Sequence, residues 1–297
     1  MHNFENRCQQ MNLENLGNGC FHYRDIHSEI VYRYLTTHGG TGHADEATLP
    51  HLGIFSRQTE DDEYTFCGVV SDLYQFVGNE VINQSLRDSI QGNNTTIFHE
   101  KRNFNDVRTV MINEIVIQNP KTVSNVGNIY PTAIASNSYD GTRSARISFG
   151  LYLQDRNIHF GFHQKIAQMK KVHIVTSRST LSSVVEGYVN AFSQSIDEMI
   201  NDSFNVTLSE EDVLRTLDLV EEVGKKRREK ISEFLQQTLE GSDQGSIPAW
   251  KMFLAITEYS TKEENLNAKK LLENAAERVL IVPERMINAI QPPQQSS

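Results

Sequence analysis

The stretch IYPTAIASNSYDGTRSARISFGLYLQDRNIHFGFH, residues 129–163, follows the pattern of strand, turn, strand, turn, strand. Its first turn is the segment Asn137–Gly141, and its second turn is the segment Gln154–Asn157. An Asp-Gly pair between two alternating apolar runs is the strongest short-range signal of a β-hairpin. The stretch therefore predicts an antiparallel meander, which we take as the framework of the fold.

The last two strands of this meander each have one apolar side and one mixed side. The apolar side carries Ala145, Ile147, Phe149, Leu151, Leu153, Ile158, Phe160 and Phe162. The mixed side carries Ser144, Arg146, Ser148, Gly150, Tyr152, His159, Gly161 and His163. Because side chains alternate across a strand, the apolar side is predicted to face the core, and the mixed side to face solvent or a polar cover.

A long amphipathic helix is predicted over residues 177–204. Its apolar stripe recurs at helical spacing and consists of Leu181, Val184, Val185, Tyr188, Val189, Phe192, Ile196, Met199 and Ile200. Further helices are predicted after it, among them one that follows Pro248 and one over Lys262–Ile281. The prediction is an α+β protein, in which an antiparallel β-meander packs on a long amphipathic helix and a helical C-terminal region follows.

Helices are also predicted before the meander. Apolar residues at helical spacing predict a helix over Tyr23–Leu35. Ser71 is a good N-cap and predicts a second helix that ends near Ile90. A long apolar run predicts a buried strand over Asp106–Gln118.

Shifts in composition divide the chain into four predicted regions. Residues 1–20 are rich in Asn, Gln and Glu and are predicted to form a mobile N-terminal arm. Residues 21–206 are predicted to form the α+β core domain, and residues 207–290 a helical C-terminal region. The tail QPPQQSS, residues 291–297, is predicted to be disordered by its composition.

The overall composition narrows the classes of protein to consider. A net charge of -10 argues against non-specific coating of DNA, although a local basic face is compatible with it. The three cysteines have no metal-type spacing and suggest reduced thiols. No apolar run is long enough to cross a membrane, and the N-terminus has no apolar signal region. We therefore predict a cytoplasmic protein without a membrane partner.

Two motifs carry a resemblance to a known family. The first is the turn Asn137-Ser138-x-Asp140-Gly141-Thr142 between an apolar strand and an arginine-containing strand, and the second is Trp250-x-x-Phe253-x-Ala255-Ile256-Thr257-Glu258-Tyr259. The chain resembles the phage and plasmid proteins grouped as domain of unknown function 932, which implies a mobile-element context and no established activity. It departs from that family's Val-Cys-x-Asn segment, because it has Arg156-Asn157-Ile158-His159 in that place.

The mixed side of the meander is the candidate binding surface. Basic and aromatic side chains interleaved on a sheet can hold phosphates and stack bases. The predicted nucleic-acid contacts are Arg146, Tyr152, His159, His163, Lys170 and Lys171. Gly150 and Gly161 would let a base or a backbone approach this side closely. A sheet face that is exposed to solvent or covered by a helix would explain the same residues without a ligand.

No residue constellation predicts catalysis, a cofactor or a metal. Asn137, Asp140 and Gly141 are explained as turn formers, and Cys67 as a packed thiol in an apolar strand. Histidines crowd the first fifth of the chain but have none of the standard spacings of zinc ligands. The protein is thus predicted to be non-enzymatic, although the sequence leaves this open.

Three functional hypotheses follow from the sequence. The first is binding of single-stranded nucleic acid through the meander, because the order of strands and long helix resembles the core of single-strand annealing proteins. The second is a host-takeover, anti-defence or virus-assembly role, acting by oligomerisation or through a host protein; the acidic balance and the charged segment Ser209–Glu240 suit it. The third, an enzyme acting on a nucleotide or nucleic acid, has no motif to support it.

Overall fold

The computed structural model describes residues 13–18, 20–24, 28–37, 47–71, 73–74, 76–93, 95–105, 108–142, 145–162, 168–170, 178–209, 229, 233, 246–263 and 266–281. The chain divides into two compact units. Unit 1 comprises Met1–Ile117, Ala133–Ile147 and Met169–Val185, and unit 2 comprises Gln118–Thr132, Ser148–Gln168 and Glu186–Ser297. Each unit is described by itself.

Unit 1 begins with a five-stranded antiparallel sheet in which the strands follow one another in chain order. Its strands are β1 (Glu14–Gly17), β2 (Cys20–Arg24), β3 (Glu29–Thr37), β4 (Ala47–Arg57) and β5 (Thr65–Ser71). One face of this sheet buries Phe21, Ile30, Tyr32, Leu52 and Ile54. Strands β1 and β5 are the two edges of the sheet.

The helix predicted over Tyr23–Leu35 was wrong, because this segment forms the end of β2 and most of β3. Ile30, Tyr32 and Tyr34 are buried, whereas Arg33 between them is exposed. The pattern therefore has the two-residue period of a strand, although Ile30 and Tyr34 also match helical spacing. β-branched and aromatic residues favour the strand at this position.

The helix predicted from Ser71 exists but begins later. It is α1 (Asn79–Gly92), and its buried apolar residues are Ile82, Leu86 and Ile90. The residues before it include Phe76, whose ring stacks on Tyr139 with a centroid distance of 5.3 Å. Phe76 therefore packs on Tyr139 ahead of the helix and is not part of the helix that the sequence pattern favoured.

The second sheet contains the predicted meander. Its strands are β6 (Ile97–Phe104), β7 (Val110–Ile117), β8 (Lys121–Val123), β9 (Gly127–Ser138), β10 (Arg146–Leu153), β11 (Ile158–Gly161) and β12 (Gln168–Lys170). The order is β11-β10-β9-β7-β6, with β12 beside β10 and β8 beside β9. A short 3-10 turn, Gln154–Arg156, joins β10 to β11, and Asn157 ends it in the left-handed conformation with φ 52°.

Unit 2 contains the long helix α2 (Arg178–Asn205) from Glu186 onward, and the meander packs on this part of it. The bounds of α2 differ from the prediction by one residue at each end. The apolar side of the meander and the helical stripe form one buried cluster that includes Leu151, Leu153, Ile158, Phe160, Phe192, Ile196 and Ile200. The α+β fold with its meander and long amphipathic helix is thus confirmed.

The C-terminal part of unit 2 completes this core. It contains β13 (Thr207–Ser209), β14 (Ser246–Pro248), α3 (Ala249–Thr261) and α4 (Leu266–Ile281). Trp250 stacks on Phe253 at 5.0 Å, and Phe253 meets Phe160 edge-on at 5.1 Å. Such aromatic pairs add roughly 0.5–1.5 kcal/mol to the burial of their surface. Residues 1–12 of the predicted arm, most of the charged segment Ser209–Glu240 and the predicted tail lie outside the described residues.

Candidate functional site

An aromatic row crosses the meander in unit 2. Tyr152 of β10 is the direct partner of His159 of β11, and their rings stack at a centroid distance of 4.4 Å. On its other side Tyr152 lies 6.0 Å from the ring of Tyr130 in β9. Tyr130 is 5% exposed and Tyr152 is 7% exposed, whereas His159 is partly exposed. The exposed end of the row is therefore the imidazole.

Gly150 has a structural role that the sequence analysis did not foresee. A Cβ atom on this residue would lie 2.0 Å from the carbonyl oxygen of Phe160 and 2.9 Å from Thr132 Oγ1. Gly150 pairs with Gly161 across the ladder, and both are buried. These glycines allow β10 and β11 to approach each other, so the space predicted for a base is filled by the protein's own backbone.

The mixed side of the meander is more covered than an open, solvent-facing sheet would be. Ser148 is 6% exposed, and Arg146 is half-buried. In unit 1, Arg146 Nε donates to the hydroxyl of Ser136 over 3.3 Å. His163 and Lys171 lie outside the described residues, and for Lys170 only the backbone, in β12, is described. The structure thus brings Tyr152 and His159 together.

The turn Asn137–Gly141 is anchored in unit 1 by its own polar groups. The Asn137 side chain is buried, and its amide donates to the Val77 carbonyl at 2.8 Å and to Asn79 Oδ1 at 3.0 Å. Asp140 Oδ1 accepts from the amide and the hydroxyl of Thr142 at 2.9 and 2.6 Å. Gly141 adopts φ +76°, a conformation that favours glycine.

Tyrosines from other parts of unit 1 form hydrogen bonds with the same turn. The hydroxyls of Tyr32 and Tyr74 donate to the carbonyls of Tyr139 and Ser138 at 3.0 and 2.7 Å. The Tyr139 hydroxyl accepts from the amide of Asn79, the first residue of α1, at 3.0 Å. Burial, with the nearby charge of Asp140, raises the pKa of both Tyr32 and Tyr74, so they remain neutral donors. The turn therefore also caps a helix.

Cys67 does not have the environment of a nucleophile. Burial raises the pKa of this thiol to about 11, and the charge of Asp140 adds to the effect. The thiol donates to the Thr65 carbonyl at 3.1 Å. A catalytic cysteine needs a stabilised thiolate, and this site disfavours the thiolate.

A closed ion-pair network joins α1 to β6 in unit 1. Arg87 binds Glu100 through two hydrogen bonds of 3.0 and 2.7 Å, and Arg102 binds Glu100 at 2.9 Å. Arg102 also binds Glu80 at 2.6 Å. Two arginines and two glutamates thus neutralise one another. Burial alone would raise the pKa of Glu100, but the hydrogen bonds from Arg87 and Arg102 lower it.

A cleft of about 590 Å³ opens beside this network at the turn between β6 and β7. Its lining residues are Gln58, Arg102, Asn103, Phe104, Asn105 and Arg108. The sequence does not indicate any of them as a site residue, because Arg108 falls within the predicted strand Asp106–Gln118. In the structure β7 begins at Val110, and Arg108 has φ 55°, outside the strand region. The sequence signal that could have indicated a turn here was the pair of asparagines Asn103 and Asn105.

The described residues contain no group of three or more His, Cys, Asp or Glu side chains that could hold a metal ion. The ring of His22 forms hydrogen bonds with two carboxylates, that of Glu29 at 2.6 Å and that of Glu14 at 3.4 Å. Among the described helices, none combines the length and the apolar character needed to cross a membrane.

Comparison with known proteins places the chain in one family. The family model described as Domain of unknown function (DUF932) matches residues 67–280, which is more than half of the chain. The match begins within β5 and ends in α4, so it includes the meander, the turn and the cleft except for Gln58. No curated protein and no solved structure matches the chain.

Proposed function

This chain belongs to the DUF932 family, and we propose that it binds single-stranded nucleic acid in a non-enzymatic, annealing-like accessory role. We place this role in a phage or another mobile element, and in the cytoplasm of the host cell. The proposal names Arg146, Tyr152, His159, His163, Lys170 and Lys171 as contacts.

The aromatic row supports the proposal. A base can stack on the partly exposed ring of His159, while the stacked ring of Tyr152 at 4.4 Å holds that imidazole in place. Stacking of a base on an aromatic side chain is worth roughly 1–3 kcal/mol and tolerates every sequence. The guanidinium of Arg146 would neutralise phosphate. Because the net charge is -10, such binding must be local and sensitive to salt.

The test is a titration of a labelled dT oligonucleotide, followed by fluorescence anisotropy over a series of salt concentrations. We expect His159→Ala to weaken binding by about tenfold, the equivalent of one stacking interaction. The double variant Arg146→Ala, Tyr152→Ala should bind more weakly still and show a shallower salt dependence.

Arg156→Ala is the matched control, because Arg156 lies in the turn next to the row and pairs with Glu258 at 3.0 Å. It should leave the affinity within about twofold. Absence of binding by folded wild-type protein at low salt would end the proposal, and so would equal losses in His159→Ala and Arg156→Ala.

A second candidate function is self-association, the route by which a host-takeover, anti-defence or assembly role would act. The edge strand β5 supports it, because Phe66 is 58% exposed and Val69 is 47% exposed. Leu73, just beyond the strand, is 64% exposed. Edge strands with apolar side chains pair readily with another strand, and the occupant we propose is β5 of a second copy.

Sedimentation of the purified, nuclease-treated protein tests this second candidate. We expect a dimer that the variant Phe66→Glu dissociates. The control variant Phe98→Glu should leave the dimer intact. Phe98 lies on another edge strand, β6, and is 41% exposed in the native chain. A monomer at all concentrations contradicts self-association. A stoichiometric host protein retained after nuclease treatment would point to a host partner in its place.

A further inference from the structure

The cleft between β6 and β7 has the size and the chemistry of a small-ligand site. Its volume of about 590 Å³ lies in the usual range of such sites. Gln58 and Asn103 contribute carboxamides, which both donate and accept hydrogen bonds. Phe104 contributes an apolar ring, and Arg108 contributes a cation.

Arg108 is the arginine of this cleft that forms no ion pair with a carboxylate of the described residues. Its guanidinium lies 5.5 Å from the centroid of the Phe104 ring, and within the part of the chain that is described no carboxylate lies at ion-pair distance from it. Arg102, the other arginine of the lining, is held by Glu80 and Glu100. A guanidinium stacked on an aromatic ring keeps its outer edge available to a phosphate.

The turn that carries Arg108 is held by a defined set of hydrogen bonds. Asn105 Oδ1 accepts from the amide of Val110 at 2.9 Å, and the Asn105 carbonyl accepts from the amide of Arg108 at 2.9 Å. Asn105 Nδ2 donates to Thr109 Oγ1 at 3.1 Å, and that hydroxyl donates to Asp140 at 2.6 Å. The described parts of this turn, Asn105 and residues 108–110, are therefore tied to each other, and Asp140 supports them through Thr109.

The backbone of Arg108 adds an independent observation. A φ of 55° costs a residue with a Cβ atom roughly 1–2 kcal/mol. Such conformations persist where the surrounding structure determines them, and they cluster at ligand-binding positions. Asparagine and glycine adopt this conformation more readily than arginine, so an arginine at this position lowers stability.

We propose that this cleft binds a nucleotide, with its phosphate on the Arg108 guanidinium and its base against Phe104 and the carboxamides of Gln58 and Asn103. The shared chemistry is a phosphate joined to a planar base, and the source is either a free mononucleotide or one unit of a single strand. The inference goes beyond nucleic-acid binding at the aromatic row, because it concerns another surface and needs no strand.

Calorimetric titration of the full-length chain with AMP, ribose 5-phosphate and inorganic phosphate tests the proposal. We expect AMP to bind more tightly than ribose 5-phosphate, and inorganic phosphate to bind most weakly. Equal binding of AMP and inorganic phosphate would overturn the assignment of a base, and no saturation of folded protein by about 10 mM AMP would overturn the site.

Arg108→Asn is the decisive variant, because asparagine tolerates the left-handed conformation and removes the charge. It should weaken AMP binding by at least about tenfold, as expected for loss of charge-assisted hydrogen bonds to phosphate. Arg156→Asn, on an exposed turn of unit 2, is the control and should change AMP affinity by less than about twofold. Equal affinity of the Arg108→Asn variant and wild type contradicts the proposal.

The source of the nucleotide is settled by competition with a dT oligonucleotide. Displacement of AMP from wild-type protein by the oligonucleotide supports the site with a strand as its natural ligand. Binding of AMP that the oligonucleotide leaves unchanged supports the site with a free mononucleotide. Wild-type protein that binds the oligonucleotide but not AMP contradicts this inference alone, whereas protein that binds AMP but not the oligonucleotide contradicts the proposed function alone.

Discussion

The hydroxyl of Thr109 donates a 2.6 Å hydrogen bond to the carboxylate of Asp140, across 31 residues of the chain. The bond joins the turn between β6 and β7 to the turn between β9 and β10. Both turns lie within the residues that the family model matches, and the first carries Arg108. We infer that Asp140 acts as a positioning residue for the cleft, because it contacts the turn that holds Arg108.

Replacement of Asp140 tests this connection. Asp140 accepts three hydrogen bonds, two of them from Thr142, so Asp140→Ala should lower the free energy of unfolding by about 1–3 kcal/mol. A double-mutant cycle with Thr109→Val, measured by urea unfolding, should give a coupling energy of about 0.5–1.5 kcal/mol. Asp61→Ala, on an exposed turn, is the control. Additive effects of the two variants would contradict the coupling.

Gly141 should not tolerate a side chain. Its φ of +76° disfavours residues with a Cβ atom, and a Cβ would lie 2.8 Å from Val70 Cγ1. We expect Gly141→Ala to lower the free energy of unfolding by about 1–3 kcal/mol. Gly187→Ala, in α2 with nothing within 4 Å of the added atom, should raise it by about 0.5–1 kcal/mol. Thermal or urea unfolding of both variants measures the contrast, and a gain in stability for Gly141→Ala would refute the strain.

Glu29 should make stability depend on pH in the acidic range. Burial alone would raise the pKa of this carboxyl, but hydrogen bonds from Arg57, Arg24 and His22 lower it to about 2. Since the ordinary value is 4.5, the ionised form is stabilised by folding. Its contribution is complete above pH 4.5 and is lost as the pH falls toward 2.

The variant Glu29→Gln should therefore be less stable than wild type at pH 7, by about 2 kcal/mol for a partly buried charge network. The difference should shrink as the pH falls below 4.5, because the Glu29 carboxyl of the unfolded chain then binds a proton, whereas the folded carboxyl, with its pKa of about 2, does not yet do so. Urea unfolding at pH 7, 4 and 3 measures this, with the exposed Glu63→Gln as the control. A difference that grows as the pH falls would show that the sign is wrong.

Glu100 should be the most sensitive member of the network between α1 and β6. It accepts three hydrogen bonds from Arg87 and Arg102. Glu100→Gln leaves two half-buried guanidinium groups without their shared carboxylate and should cost about 2–4 kcal/mol in unfolding free energy. Glu186→Gln, exposed on α2, should change it by less than about 0.5 kcal/mol. A loss for Glu100→Gln no larger than the control would show that the network contributes little.

The meander and the long helix could be predicted because their signals are local. Asp140-Gly141 marks a turn by its own chemistry, and the stripe from Leu181 to Ile200 repeats at the spacing of a helix face. The segment Tyr23–Leu35 failed because its apolar residues satisfy both periods. The strand forms there because β3 pairs with β4, which lies later in the chain.

The aromatic row could be predicted from local sequence, whereas the cleft could not. Tyr152 and His159 could be placed together because they flank one short turn. The cleft could not be foreseen, since Gln58 follows β4 whereas Arg108 follows β6. Their proximity depends on tertiary packing that no periodicity of the sequence records. The left-handed backbone of Arg108 was equally invisible, because arginine rarely adopts it.

Each unit is assembled from three separate segments, and this sets the order in which the protein can fold during translation. The first sheet leaves the ribosome complete at Ser71, but Tyr139, which fills its core and caps α1, is synthesised later. Until then the hydroxyl of Tyr32 and the ring of Phe76 lack the partner that they have in the finished protein. Long-range closure of this kind slows folding, so we expect the core of the first sheet to close only after Tyr139 has been synthesised.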